Sequence, residues 1–177
     1  METTKGPKIP LPKAYPPFYK GYIDLVAEKD LKTLSLEQEQ FVKNLFGNLT
    51  TEKALLSYKT NKWSFNELLG HIIDTEKIMH FRALSISRGE KSDFPGFDQD
   101  NYVKTAAFNS QSINELLDTF LLHRQLLWNF IEAIPEDQIH NIGSVDAKPM
   151  SLSALLYIIF GHMEHHISII KKYYLSL

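Results

Sequence analysis

The chain has 177 residues, 44% hydrophobic and 23% charged, which suits one globular domain with its own core. Its formal net charge of −2, with the histidines neutral, gives no electrostatic case for binding nucleic acid, which needs a basic face. It contains no cysteine, which excludes disulfides, a cysteine nucleophile and iron–sulfur clusters and leaves histidine, carboxylate and water as metal ligands.

The first residues, Met1 to Pro7, carry no apolar run and do not read as a signal peptide. The longest apolar stretch, Leu152 to Phe160, is too short to span a bilayer. A cytoplasmic protein with no membrane association is expected, and the lack of cysteine agrees with that compartment. Pro7, Pro10, Pro12, Pro16 and Pro17 then predict an extended arm over residues 1–18, with a helical domain over 19–177. The aromatics Tyr15, Phe18, Tyr19 and Tyr22 are expected to pin the end of that arm to the core.

Four helices follow. In the first, Leu31, Leu34, Gln38, Phe41 and Leu45 recur at alternating spacings of three and four, with Asp30 as N-cap and Gly47 or Asn48 as the stop. The second opens on a capping box, Ser64-Phe65-Asn66-Glu67, with Trp63 and Leu68 placed as a hydrophobic staple. It runs through Leu68, Ile72, Thr75, Met79, Ala83 and Ile86 to Gly89, a suitable C-cap. A long link over 90–111 carries Phe94-Pro95-Gly96-Phe97-Asp98-Gln99-Asp100, and links of this length are often functional. The third helix begins at a second capping box, Ser112-Ile113-Asn114-Glu115, carries Leu116, Phe120, Leu127, Phe130 and Ile131, and stops before Pro135. Residues 139–150 have room for a short hairpin. The fourth helix starts near Ser151 and continues past Lys172. Four helices, each with one apolar stripe, read as an all-α four-helix bundle.

The fourth helix carries the chemistry. His162 and His166, in Gly161-His162-Met163-Glu164-His165-His166, are four residues apart and share one helix face. Leu155, Ile159, Ile169 and Tyr173 make the rest of that face a buried stripe. Imidazoles buried on such a stripe are costly unless their nitrogens are satisfied, and a divalent metal satisfies them well. His71, on the apolar pattern of the second helix, is the third candidate ligand. His165 is turned about 100° from His166 and reads as a surface or supporting residue. His80, His123 and His140 have no partner pattern and read as structural or solvated. The pattern is not the His-Glu-x-x-His of zinc peptidases, because Met163 stands where that motif has its glutamate base. Nor is a Ser-His-Asp triad or a phosphate-binding glycine loop indicated.

Lys62-Trp63-Ser64-Phe65-Asn66-Glu67-Leu68-Leu69-Gly70-His71-Ile72-Ile73-Asp74-Thr75-Glu76 resembles the second-helix motif of the DinB-like (DinB/YfiT-like) superfamily. Phe81-Arg82-Ala83-Leu84, then Pro95-Gly96-Phe97-Asp98-Gln99-Asp100, and the closing Gly-His-x-x-His-His resemble further motifs of that family in the same order. The resemblance covers about residues 18–175. It implies a four-helix bundle of up-down-down-up topology and a divalent metal, zinc or nickel, held by His71, His162 and His166. It further implies an enzyme acting on a small molecule, with a homodimer as the expected assembly. Related activities are thiol S-transfer to small electrophiles, using a low-molecular-weight thiol, and metal-dependent hydrolysis. A non-catalytic, stress-related metal- or ligand-binding protein is the alternative from another class. No catalytic residue beyond the ligands is indicated. Asp74, Arg82, Phe97, Asp98 and His165 are candidates for substrate contact or support of the ligands: Asp74 near the metal or on the helix surface, Arg82 ion-paired to the Asp98 region or facing an anionic substrate, and Phe97 with Asp98 as a roof over the pocket.

Overall fold

The computed structural model describes residues 7–177. The signal-peptide reading, and the arm before Pro7, fall outside them. The described arm holds no α-helix but is not simply extended: single 3₁₀ turns form at Pro12–Ala14 and Pro17–Tyr19, each opened by a proline whose fixed φ suits the first helical position. The arm is tied down where Ser153 Oγ donates to the Lys8 carbonyl and the Tyr157 hydroxyl donates to the Pro7 carbonyl at 3.3 Å. Of its aromatics, Tyr15 is buried and Tyr19 half-buried, but Phe18 is 76% exposed, so Phe18 is not a pin. A short helix α1 (Lys20–Asp24) follows, with Tyr22 half-buried.

The bundle consists of α2 (Leu31–Phe46), α4 (Phe65–Ser87), α6 (Ile113–Glu132) and α7 (Leu152–Ile169), with a one-turn α3 (Thr51–Ala54) and α5 (Gln99–Ala106) in the links. The expected caps form. Asp30 accepts from the Thr33 amide at 2.9 Å, and both capping boxes are closed, Ser64 with Glu67 and Ser112 with Glu115. Helix α4 ends in a Schellman motif: the Gly89 and Glu90 amides donate to the carbonyls of Ile86 and Ser85, and Gly89 takes φ +84°, which glycine adopts without steric cost.

Two stripes differ from the spacing. On α2 the last buried residues are Val42 and Phe46, with Phe41 and Leu45 on the flank. A strict alternation of three and four averages 3.5 residues per turn, so over four turns the 3.6-residue helix drifts about 40° from that spacing, and the core face passes from Phe41 and Leu45 towards Val42 and Phe46. On α7 the chain passes into a π-turn at Ile170–Tyr174. That wider turn places Ile170 and Tyr174 in the core and leaves Tyr173 38% exposed. The Tyr174 hydroxyl donates to the Trp63 carbonyl at 2.7 Å, closing the bundle end nearest the histidines.

Contacts between helices give their directions. Lys32 pairs with Glu132 and Gln38 bonds Arg124, so α2 and α6 are antiparallel. Glu76 pairs with Arg124 and the His80 ring packs on Phe130, so α4 and α6 are parallel. Leu31 and Leu34 share a core cluster with Leu155 and Ile158, while Val42 and Phe46 share the next with Met163 and Ile167, so α2 and α7 are parallel. His71 meets His166 while Met79 and Ala83 lie with Leu155, so α4 and α7 are antiparallel. This is the up-down-down-up arrangement.

The hairpin forms as β2 (Ile142–Val145) and β3 (Lys148–Ser151), and the long link adds a parallel two-residue strand, β1 (Asp93–Phe94), beside β2. Its two-residue turn, Asp146-Ala147, has positive φ at both positions, the twist that tight hairpins favour. Asp93 accepts from the Ala147 amide, and Asp146 Oδ1 accepts from the Gly96 amide at 2.7 Å. The hairpin tip thereby fixes the Pro95–Phe97 segment over one end of α4.

Of the described glycines, Gly161 has the closest neighbour to its missing Cβ. A Cβ there would lie 2.0 Å from the Tyr22 carbonyl oxygen of α1, which is backbone and cannot swing aside. Gly161→Ala is expected to displace α1, costing about 1–3 kcal/mol as core overpacking does. Urea unfolding measures this, and a wild-type midpoint in the variant would contradict the packing.

Candidate metal centre

His71 projects from the second turn of α4, and His162 and His166 from successive turns of α7. Antiparallel packing of these helices brings all three rings together. His162 Nε2 lies 3.1 Å from His71 Nε2 and 3.0 Å from His166 Nε2, and the three candidate ligand atoms are within 4.8 Å of one another. Around a tetrahedral ion with bonds of about 2.0–2.1 Å, ligand nitrogens stand about 3.3 Å apart. A hydrogen bond explains one such contact but not two on His162 Nε2, which holds either one proton or one lone pair. The three rings are 3–6% exposed. Burial, then mutual repulsion, pushes the pKa of His162 and His166 well below the usual histidine value, and burial pushes His71 down to about 4. All three are therefore neutral near pH 7, the form that binds metal. The donor set fits zinc or nickel. Among the described residues the group contains no fourth His, Cys, Asp or Glu. The Nδ1 atoms of His162 and His166 are buried without protein partners.

The surroundings fix the rings. Trp63 packs against His71 with centroids 4.5 Å apart, and Tyr22 meets His162 edge-on at 5.5 Å. His165 lies outside the converging group, half-buried and edge-on to the same Tyr22 ring. A cleft of about 350 Å³ opens beside His162, lined by Tyr22, Thr75, Met79, Arg82 and Phe97 among others. A larger groove, about 600 Å³, lies between α2 and α6 and touches none of the three histidines.

The remaining candidates separate. Asp74 is half-buried beside Lys77 at 4.0 Å, outside the histidine group, with its pKa raised by burial. Arg82 is buried and donates to the Pro95 carbonyl at 2.5 Å, with Phe97 5.9 Å from its guanidinium carbon. It does not pair with Asp98. That carboxylate instead caps α5, accepting from the amides of Asp100 and Asn101, and is exposed away from the cleft lining. Phe97 borders the cleft; Asp98 does not roof it.

One polar group escaped the sequence reading. Arg124 and Glu76 form an ion pair whose side chains are wholly buried, with Arg124 also donating to Gln38 Oε1 at 2.9 Å. Gln38 in turn donates to Glu164 at 2.9 Å, and Lys29 reaches the other oxygen of Glu164. Burial pushes the Glu76 carboxyl up, and Arg124 opposes that push. The signal was present: Arg124 interrupts the stripe Leu116, Phe120, Leu127, Ile131, and an arginine on a core stripe demands a buried acceptor.

Acid should destabilise the metal-free fold. His123, also lowered to about 4 mainly by burial, joins the three clustered histidines. Between about pH 6.5 and 4 the unfolded chain binds protons that the folded chain refuses, so stability is full above about 6.5 and falls as pH drops. Each such histidine contributes at most about 1.4 kcal/mol per pH unit inside its window. Melting of chelator-treated protein from pH 7.5 to 4.5 should show a steadily falling midpoint; a flat profile would contradict neutral burial.

A family model described as the DinB superfamily matches residues 36–170. Among solved structures, the chain resembles YfiT from Bacillus subtilis, described as a probable metal-dependent hydrolase with an unusual four-helix bundle topology. The TM-score is 0.70 at 12% sequence identity, over 93% of this chain and 91% of that one, a likeness of fold. No curated protein matches the sequence. Among the described residues no helix is long and apolar enough to cross a membrane. With the family model covering most of its length, the chain belongs to the DinB superfamily.

Proposed function

We propose that this protein is a metal-dependent enzyme in which His71, His162 and His166 hold a divalent zinc or nickel ion, and that it joins an intact low-molecular-weight thiol, through its sulfur, to a small electrophile whose leaving group departs. The observation that carries this reading is the convergence of three neutral imidazoles, with no fourth protein ligand among the described residues, where His162 borders a cleft. Structural zinc sites are closed by four protein ligands, whereas three ligands leave a position for a reactant. An ion held there supplies a Lewis acid that ionises a coordinated thiol, or lowers the pKa of water towards about 7.

The chain's own residues do the rest. Tyr22 and Trp63 hold the imidazole planes, and Met79, Phe97 and Ile158 give the cleft beside His162 an apolar portion. Among the described residues no carboxylate joins the histidine group, and Met163 points into the core. An external thiol held by such an ion would ionise without a protein base, its proton passing to solvent, which favours sulfur over water as nucleophile. The chain has no cysteine, so the thiol must come from outside. The description of YfiT supports hydrolysis as the second reading.

The test compares zinc- and nickel-loaded protein with chelated protein, using glutathione, bacillithiol or mycothiol with 1-chloro-2,4-dinitrobenzene, and separately p-nitrophenyl esters and anilides. Metal- and thiol-dependent arylation is expected. Metal-dependent ester or amide cleavage that ignores thiol selects the hydrolase. Full turnover after complete metal removal rejects both.

A further inference from the structure

Helix α4 presents a graded row of side chains to the cleft. Thr75, Met79 and Arg82 follow His71 at spacings of four, four and three, one helical face. Thr75 is 5% exposed, yet its hydroxyl is buried with no protein partner. Arg82 is 3% exposed, and among the described residues no carboxylate oxygen comes within 4.0 Å of its guanidinium. Among the described residues its close contacts are the Pro95 carbonyl, the Met79 sulfur at 3.6 Å, the Tyr19 hydroxyl and the Phe97 ring at 5.9 Å. Asp146 and Tyr19 act on it electrostatically, and Asp146 is already engaged by the Gly96 amide. Lys148 stands exposed on the rim. The charges around the cleft are thus Arg82 and Lys148 against Asp146.

A buried guanidinium normally has an anionic partner in direct contact, because a carbonyl leaves most of its five N–H donors unfilled and a carboxylate beyond ion-pair distance, as Asp146 is here, compensates the charge only in part. Arg124, in the same fold, shows the compensated case. Arg82 differs from it in facing a cleft. The α-carbons of His71 and Arg82 are separated by about 16 Å along the helix axis, and Arg82 reaches back beside Met79, one turn closer. Between the two ends lie the Thr75 hydroxyl and apolar surface from Met79, Phe97 and Ile158.

We infer that Arg82 is the recognition site for a carboxylate at one end of an elongated substrate, whose reacting end lies at the histidine cluster and whose middle accepts or donates a hydrogen bond at Thr75. The inference rests on the proposed enzymatic reading for what happens at the histidines, but carboxylate capture stands on the cleft alone. Guanidinium and carboxylate match as a bidentate pair, and exclusion of water strengthens it. Tyr19 borders the same end, and Lys148 lies on the cleft lining.

The test uses metal-free protein, so that a carboxylate cannot bind a metal instead. Two acids, 4-phenylbutanoate and S-methylglutathione, are titrated by calorimetry and by ¹H–¹⁵N NMR with the Arg82 Nε–H resonance assigned, and 4-phenylbutanamide serves as the neutral isostere. At least one acid is expected to bind at least tenfold more tightly than the amide and to shift the Arg82 resonance. Preference for S-methylglutathione assigns the acid to the thiol reactant, and preference for 4-phenylbutanoate assigns it to the electrophile. Arg82→Gln should abolish the preference, and Arg82→Lys should restore part of it. Equal binding of acid and amide by the wild-type protein, no binding of either acid, or an unchanged preference in Arg82→Gln overturns the inference. If Arg82→Gln does not fold, for want of its bond to Pro95, the wild-type comparison decides. Loss of metal-dependent turnover would sink the enzymatic reading without touching this result.

Discussion

His162→Ala should lose tight zinc and nickel binding, with affinity falling by more than about 100-fold. His162 Nε2 is the atom that approaches both other rings, so its removal leaves His71 and His166 as two unlinked donors. Loss of a mere outer-shell partner already costs about 10–100-fold in metal affinity, so loss of a ligand must exceed that. His166→Ala should behave alike. His165→Ala should keep wild-type affinity within a few-fold, because that ring lies outside the converging group. Competition against a chelator of known affinity gives the numbers, with circular dichroism to show that each variant is folded. The same contrast should appear in stability: metal bound only to the folded chain raises the melting midpoint, and His162→Ala should abolish that rise while His165→Ala retains it. Equal loss in all three variants, or none in His162→Ala, would remove the histidine cluster as the binding site.

Arg124→Met should destabilise the bundle by about 3–5 kcal/mol in urea unfolding, because it strands the Glu76 carboxylate in the core without its cation. Gln38 would lose a donor at the same stroke. Replacing both partners, Glu76→Leu with Arg124→Met, should recover much of the loss, since apolar groups of similar volume need no charge compensation. The pH dependence supplies a second check. In Arg124→Met, burial acts on Glu76 unopposed, so its folded-state pKa rises further above the unfolded value. The folded protein then holds a proton that the unfolded chain releases, and stability must fall as pH rises from about 4.5 upward. The variant should therefore sit closer to wild type at pH 5 than at pH 8. A uniform deficit across that range would argue that lost packing, and not the stranded charge, is responsible.

Much of the architecture was legible in the chain because local chemistry announces it. Asp30, Ser64 and Ser112 each cap the helix expected of them, and Ser151, near the expected start of the fourth helix, caps that helix. Periodicity failed where small angular differences accumulate: at Val42 and Phe46 the helix drifts off the ideal spacing, and at Ile170 and Tyr174 a π-turn resets it. Propensity carries no warning of a π-turn. The convergence of His71 with His162 and His166 was foreshadowed by their shared burial, although spacing fixes only the pair on one helix. The placement of Arg82 turned on a partner 13 residues along the chain in a loop, the Pro95 carbonyl, and no periodic signal encodes that. Asp98 illustrates how an acidic loop residue serves local geometry first, as a helix cap.

The order of helices around the bundle bears on how fast it assembles. Among the described residues, α2 packs mainly on α6 and α7, and α4 on α6 and α7, so α2 lies diagonally from α4 and α6 diagonally from α7. Only one of the three chain-consecutive pairs, α4 with α6, is in broad contact. A simple up-and-down bundle zips through hairpins of neighbouring helices, closing short loops. Here α2 must wait for partners that begin at residues 113 and 152, so loop-closure entropy is lost before contacts reward it. Refolding should be slower than for an up-and-down bundle of equal length, and α4 with α6 is the natural nucleus. The histidines would then come together late, when α7 docks, so that metal capture reports completion of the fold and does not initiate it.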